Sequence, residues 1–113
     1  MPPLTTHVLD LATGKPAQGV TVRFARQAAS GWVEISERVT DADGRIREFF
    51  GDGESLEAGR YRLVFATGEY QRARGAAAFH PEIPVIFEVR DPTQHHHVPL
   101  LLSPYGYSTY RGS

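Results

Sequence analysis

Five histidines occur in 113 residues, and three of them, His95, His96 and His97, are consecutive. In an extended strand successive side chains alternate, so His95 and His97 point to one side and His96 to the other. Two imidazoles at i and i+2 can share a metal ion. They can also move protons, because imidazole titrates near neutral pH. A solvated or hydrogen-bonded structural role is the commonest fate of such residues, and all three readings stand at this point. His7 is isolated near the start of the chain, where a structural role is the plain reading, and His80, before Pro81, reads as a loop residue. Asp43-Gly44 reads as a turn, with Asp tolerating the left-handed region and Gly supplying a positive φ. Arg45 and Arg47 then point to one side of the strand that follows. They are either a solvated edge that discourages aggregation or a fork of donors for carbonyl and carboxylate oxygens. The tail from Tyr105 to Ser113 holds three Tyr within six residues. That points to an ordered strand where chains usually fray.

The elements that must position these groups are strands. Turn signals recur at Thr13-Gly14-Lys15-Pro16, Ser30-Gly31, Asp41-Ala42-Asp43-Gly44, Gly51-Asp52-Gly53, Ala58-Gly59 and Ser103-Pro104. Between them the apolar residues alternate, as in half-buried strands. Val20, Val22 and Phe24 share a face, as do Val33 and Ile35, Tyr61, Leu63 and Phe65, and Val85, Phe87 and Val89. Only residues 68–78 are Ala-rich enough for a short helix, and Gly75 interrupts them. About eight short strands with frequent turns predict an antiparallel sandwich, formed by residues 1–113 as a single domain.

The stretch from Val98 to Leu102 is apolar on both faces. Val98, Leu100 and Leu102 share one face; Pro99 and Leu101 share the other, in line with His95 and His97. A two-layer sandwich covers only one face of each sheet, so the second apolar face calls for another cover, most simply a second subunit. His7 shares a face with Leu9 and Leu11, while Val8 lies opposite. Parity therefore places His7 and His97 on the outer, interface-forming side of a sheet, provided no bulge intervenes.

Composition excludes several classes. Hydrophobic residues make up 41% and charged residues 22%, which is ordinary for a globular protein. The formal net charge of -1 gives no footprint for nucleic acid or an anionic membrane. No apolar run of spanning length occurs, and the N-terminus MPPLTTHVLDLA lacks the pattern of a secretory signal. Cys is absent, which excludes disulfides, thiolate catalysis and Cys-based zinc sites. A cytoplasmic location is the expectation.

Taken as a set, LTTHVLD near the start, DADGR in the middle, HPEIPVIF later and HHHVPLLLSPYGYSTYRGS at the end resemble the 5-hydroxyisourate hydrolases. These are the transthyretin-related enzymes of urate degradation. The resemblance runs from about Leu4 to Ser113, and the terminal YRGS is its most specific mark, separating the hydrolases from transthyretin, the hormone carrier. It implies an all-β, transthyretin-like (prealbumin-like) β-sandwich of two four-stranded sheets with one short helix. It also implies a homotetramer, a dimer of dimers, with sites in a central channel where dimers meet and with Ser108 and Tyr110 turned toward it. The implied reaction is hydrolysis of 5-hydroxyisourate, a small-molecule substrate, to 2-oxo-4-hydroxy-4-carboxy-5-ureidoimidazoline, with no metal or organic cofactor.

Carried over by position, His7 matches the histidine of THVLD, Arg45 the arginine of DGR, and His97 the second histidine of H-x-H before VPLLLS. Tyr110, Arg111, Gly112 and Ser113 match the terminal tetrapeptide. The catalytic expectation is His7, Arg45, His97 and Ser113; the substrate-binding expectation is His7, Arg45, Tyr110 and Arg111. The two histidines would activate water and return a proton, with the division between them open. Arg45 would hold the developing oxyanion. Ser113, through hydroxyl and terminal carboxylate, would orient water or substrate. Two departures occur: His96 stands where the family commonly has Tyr, and His80 where it often has Phe. The competing expectation is a non-catalytic, transthyretin-like carrier of small ligands.

Overall fold

The computed structural model describes residues 2–113. Its strands are β1 (Leu4–Asp10), β2 (Lys15–Pro16), β3 (Thr21–Ala28), β4 (Gly31–Val39), β5 (Arg45–Ile46), β6 (Gly59–Phe65), β7 (Ile83–Val89), β8 (His96–Leu102) and β9 (Tyr107–Thr109), with one helix, α1 (Thr67–Ala73). Two sheets enclose one core. One has the order β4-β3-β6-β7; the other runs β2-β1-β8-β9 with β5 added alongside β1. The second sheet thus has five strands rather than four, because the two-residue strands β2 and β5 both lean on β1.

The alternation seen in sequence is the alternation of burial. Val20, Val22, Phe24, Leu63 and Phe65 are fully buried, as are Val8 and Leu100 from the facing sheet. Phe24 stacks on Tyr61 with ring centroids 5.3 Å apart and tilts against Phe49 at 5.4 Å. These rings carry much of the apolar area removed from water, the main stabilising term in a domain this small.

Three features depart from the simple reading. Not every pairing is antiparallel: β1 and β8 run parallel from Leu4↔His96 to Asp10↔Leu102. That pair joins strands far apart in sequence, so no short turn restricts their direction. A bulge between Phe24 and Ala25 skips Ile35 on β4. The extra residue reverses parity along that edge strand, leaving Val33 exposed while Ile35 packs against the core. The helix is shorter than 68–78. It stops with bonds from Gly75 N to Arg72 O and Ala76 N to Gln71 O, the Schellman pattern. The Tyr70 hydroxyl donates to Asp10 Oδ2 at 2.9 Å, tying the helix to the end of β1.

Truncating the central ring checks this account. Phe24→Ala should cost about 3–5 kcal/mol, since the stacked neighbours cannot collapse into the space. It should appear as a lower urea midpoint with an unchanged m-value. A midpoint equal to that of the unaltered protein would show that the aromatic cluster is not central to stability.

Candidate active site

The site is built on the outer face of the five-stranded sheet, on β1, β8 and β5. In β1, Leu4, Thr6 and Val8 face the core, so Thr5, His7 and Leu9 face outward. In β8, Val98, Leu100 and Leu102 face the core, so His97 and Leu101 face outward. The parallel register sets Thr5 beside His97 and His7 beside Pro99. Parity alone had placed His7 and His97 on this face, and no bulge interrupts either strand.

Arg45 arrives from the other edge of β1. It pairs directly with His7, while Ile46 pairs with Thr6 and turns into the core. The preceding turn is held by Asp41. Its Oδ1 accepts from the backbone N–H of Asp43 and of Arg45, both at 2.9 Å. Those backbone donors, the Arg45 N–H foremost, hold the Asp41 carboxyl below the usual carboxylate range. Gly44 adopts φ +73° and accepts from Val8 N through its carbonyl at 2.7 Å. A Cβ there would sit 2.4 Å from Val8 O, so a side chain would push the turn off β1 and Arg45 with it.

The tail completes the site. Strand β9 runs antiparallel to β8, with Leu101 opposite Ser108, and the same register continues to a bridge between His97 and Gly112. Gly112 N donates to His97 O at 2.8 Å. A Cβ on Gly112 would lie 2.4 Å from His97 Cδ2, so glycine alone lets the tail pass over the imidazole. Ser113 thereby joins Thr5, Thr6, Arg45, Arg47, His95 and His97 around a pocket of about 140 Å3. Larger pockets occur elsewhere, including one of about 380 Å3 beside Phe49 and Phe50, but none of those brings two imidazoles together.

The electrostatics favour neutral imidazoles. Burial lowers the His97 pKa first, and the charges of Arg45, His95 and His7 lower it further, against a backbone bond to Thr5. Burial and then Arg45 lower that of His7, against a backbone bond to Asp43. Both rings are therefore lone-pair carriers near neutral pH. Among the described residues the ion pairs are Arg23–Glu82 and Arg47–Asp41. The Arg45 guanidinium belongs to neither.

Not every expected residue lines this pocket: His7 is not on its wall and stands beside it, paired in the ladder with Arg45. Tyr110 and Arg111 line a different pocket of about 240 Å3 with Val85, Phe87, His96 and Val98. Tyr110 is more than half exposed there. Arg111 bonds Gln94 Oε1 at 3.2 Å and His95 O at 3.3 Å, which anchors the tail rather than facing the imidazoles. Their side chains part from the site because the tail leaves β9 after Thr109, whose hydroxyl is bound to Pro99 O. Ser108 keeps the outer parity. His96 is buried on the opposite side and bonds Gln94 O, as its place in the triplet implied.

Thr5 and His95 were not singled out as partners from the sequence. Thr5 Oγ1 lies 2.8 Å from His97 Nδ1 and 3.1 Å from His95 Nε2, and His95 Nδ1 reaches Pro2 O. The available signal was the Thr5-x-His7 spacing, which puts a hydroxyl on the histidine face. Both nitrogens of His95 are thus engaged in hydrogen bonds. Among the described residues no group of three His, Asp or Glu is arranged to hold a metal ion.

The close approach of the tail makes a checkable statement. Gly112→Ala should shift the His97 ring resonances in long-range 1H–15N spectra, because a Cβ 2.4 Å from His97 Cδ2 forces ring or tail to move. His97 signals unchanged by the substitution would disprove the contact.

Comparison with known proteins places this arrangement. A model of the HIUase/Transthyretin family matches residues 4–112. The 5-hydroxyisourate hydrolase of Caulobacter vibrioides is 52% identical over 114 aligned residues, covering 97% of this chain and 97% of that protein. Among solved structures, the Klebsiella pneumoniae 5-hydroxyisourate hydrolase has a TM-score of 0.84 at 39% identity, covering 97% of this chain and 92% of that one. Sea bream transthyretin, solved with thyroxine, has a TM-score of 0.90 at 34% identity, covering 97% and 94%. The fold alone therefore does not separate hydrolase from carrier, whereas family and architecture agree: the chain belongs to the HIUase/Transthyretin family.

Proposed function

We propose that this protein hydrolyses 5-hydroxyisourate, opening the six-membered ring at an amide bond to give 2-oxo-4-hydroxy-4-carboxy-5-ureidoimidazoline. The observation that carries the reading is the convergence of two neutral imidazoles, His7 and His97, with the unpaired guanidinium of Arg45 on one outer sheet face. Relatives that bear the name 5-hydroxyisourate hydrolase cover nearly the whole chain, which supports it.

The chemistry follows from the geometry. Water attacks the ring carbonyl while an imidazole takes its proton, forming a tetrahedral oxyanion. Arg45 donates to that oxygen in a site partly shielded from water, where such a charge is worth more than in bulk solvent. Collapse breaks the carbon–nitrogen bond, and the departing nitrogen receives the proton. The new carboxylic acid then ionises. Ser113, on the wall of the same pocket, orients water or substrate. Arg111 serves this site by holding the tail, and Tyr110 would meet substrate only across an assembled channel.

The proposal includes a homotetramer, a dimer of dimers, with sites where the dimers meet. Supporting it, Leu9 and Leu101 lie half-buried on the outer face beside the site, and Leu11 is 54% exposed. A second copy of the same surface is the simplest cover. A cytoplasmic setting is proposed with it, and the cysteine-free composition is compatible with a reducing compartment. Among the described residues no helix is long and apolar enough to cross a membrane.

Five outcomes are expected. With the substrate generated in place from urate and uricase and followed by ultraviolet absorbance, the protein should speed its decay. His7→Ala or His97→Ala should slow turnover by about 10²–10⁴-fold; full rates in both would end the assignment. The rate should hold through pH 7 and fall only below 6.5, the ordinary imidazole value, because both pKa values are lowered. Stability follows the same sign. The unfolded chain binds more protons just below that value, so stability is complete above it and declines as pH falls toward the folded-state pKa. Light scattering should give a mass near four times the 12.5 kDa chain; a monomer with full activity would overturn the channel.

A further inference from the structure

Between His97 and the segment before β1 runs a chain of hydrogen bonds that the proposed reaction does not itself require. It consists of the Pro2 carbonyl, the His95 ring, the Thr5 hydroxyl and His97 Nδ1. The His95 and His97 rings lie nearly parallel, with centroids 6.2 Å apart and planes 16° apart. Thr5 lies between them and is buried, although it faces outward. The segment before β1 is fixed by a bond from His96 N to Pro3 O at 2.9 Å, so the Pro2 carbonyl is held against His95.

The direction of this chain follows from what each group can do. A carbonyl only accepts, so His95 Nδ1 must carry a proton. In a neutral imidazole the other nitrogen, Nε2, is then an acceptor. The single proton of the Thr5 hydroxyl goes to that acceptor. The Thr5 oxygen is left to accept from His97, whose Nδ1 must therefore carry its proton. The reverse direction would require a doubly protonated His95, a cation sharing the pocket with the Arg45 guanidinium.

Resting on the hydrolase reading, we propose that Thr5 and His95 are positioning residues that lock His97 as the Nδ1–H tautomer, so that Nε2 presents its lone pair to the attacking water. This makes His97 the general base and leaves proton return to His7. The groups around His97 are Arg45 from β5 and Arg47 just after it, His7 and Thr5 from β1, His95 two residues before it, and Ser113 from the tail. When Nε2 takes the proton, the bond from Nδ1 to Thr5 remains in place, and no group in the chain has to turn. A base already fixed in tautomer and orientation avoids the reorganisation that a free imidazole undergoes. Residues that orient a catalytic histidine in this way affect rate rather than binding.

The test combines kinetics with a direct readout of the tautomer. Thr5→Val keeps the shape of the side chain and removes the hydroxyl. It should lower kcat by about 10–100-fold, a fraction of what a lost base costs, with KM nearly unchanged. Long-range 1H–15N spectra should show His97 passing from the Nδ1–H form to a mixture. Thr5→Ser, which restores the hydroxyl, should recover most of the rate. His95→Phe retains the stacked ring without an acceptor and should reproduce the loss; it carries the test if Thr5→Val does not fold. Wild-type kcat in Thr5→Val with His97 still held as Nδ1–H would overturn the relay. The hydrolase reading fails separately, if His97→Ala retains full activity; the tautomer measurement does not depend on that result.

Discussion

The parallel pairing of β1 with β8 is the constraint on which the rest depends. It joins two segments roughly ninety residues apart and sets Thr5 beside His97 and His7 beside Pro99. A strand has a period of two, so a slip of one residue would turn His7 into the core and Val8 into solvent. The inner face prevents this. Leu4, Val8, Leu100 and Leu102 are almost entirely buried, and exposing any of them would cost on the order of 1.5–3 kcal/mol. The apolar face thus fixes the register that the polar face uses. Site geometry is held by packing energy on the opposite side of the same two strands.

Two further elements dock on this pair, one on each edge, and in both a glycine permits the approach. Gly44 lets the Asp41 turn lie against Val8 O and delivers Arg45 to His7. Gly112 lets the tail cross the His97 ring and delivers Ser113 to the pocket. The consequence is electrostatic. Partial burial, and after it a guanidinium without a carboxylate partner, lowers the pKa of both imidazoles. A neutral imidazole beside a cation can take a proton from water and has an oxyanion stabiliser next to it. In the proposed hydrolysis these two functions belong to adjacent strands, so neither depends on a mobile loop.

The shared architecture of a hormone-binding transthyretin and a 5-hydroxyisourate hydrolase shows that this sandwich does not specify chemistry. Its inner faces make the core, and its outer face is free to vary. In this chain that face carries Thr5, His7, Arg45, His95 and His97, flanked by Leu9 and Leu101. The apolar flank suits contact with another copy, and the polar centre suits a flat, hydrogen-bonding substrate. Assembly and chemistry would then share one surface, which accounts for a strand that is apolar on both sides.

The sequence by itself determined the strand pattern, the layers and the faces. Alternation in 20–24, 61–65 and 85–89 reported burial, because a pleated strand turns every second residue to the core. The same parity put His7 and His97 outside, and the motifs carried Arg45 to them. It was silent where the outcome depended on residues distant in the chain. The parallel direction of β1 and β8, the bulge that turns Val33 out, and the departure of Tyr110 and Arg111 from the pocket follow from which strands meet and where a ladder ends. The Thr5–His95–His97 bonds have the same origin. Periodicity says which way a side chain points, but only the register between two strands says what it touches.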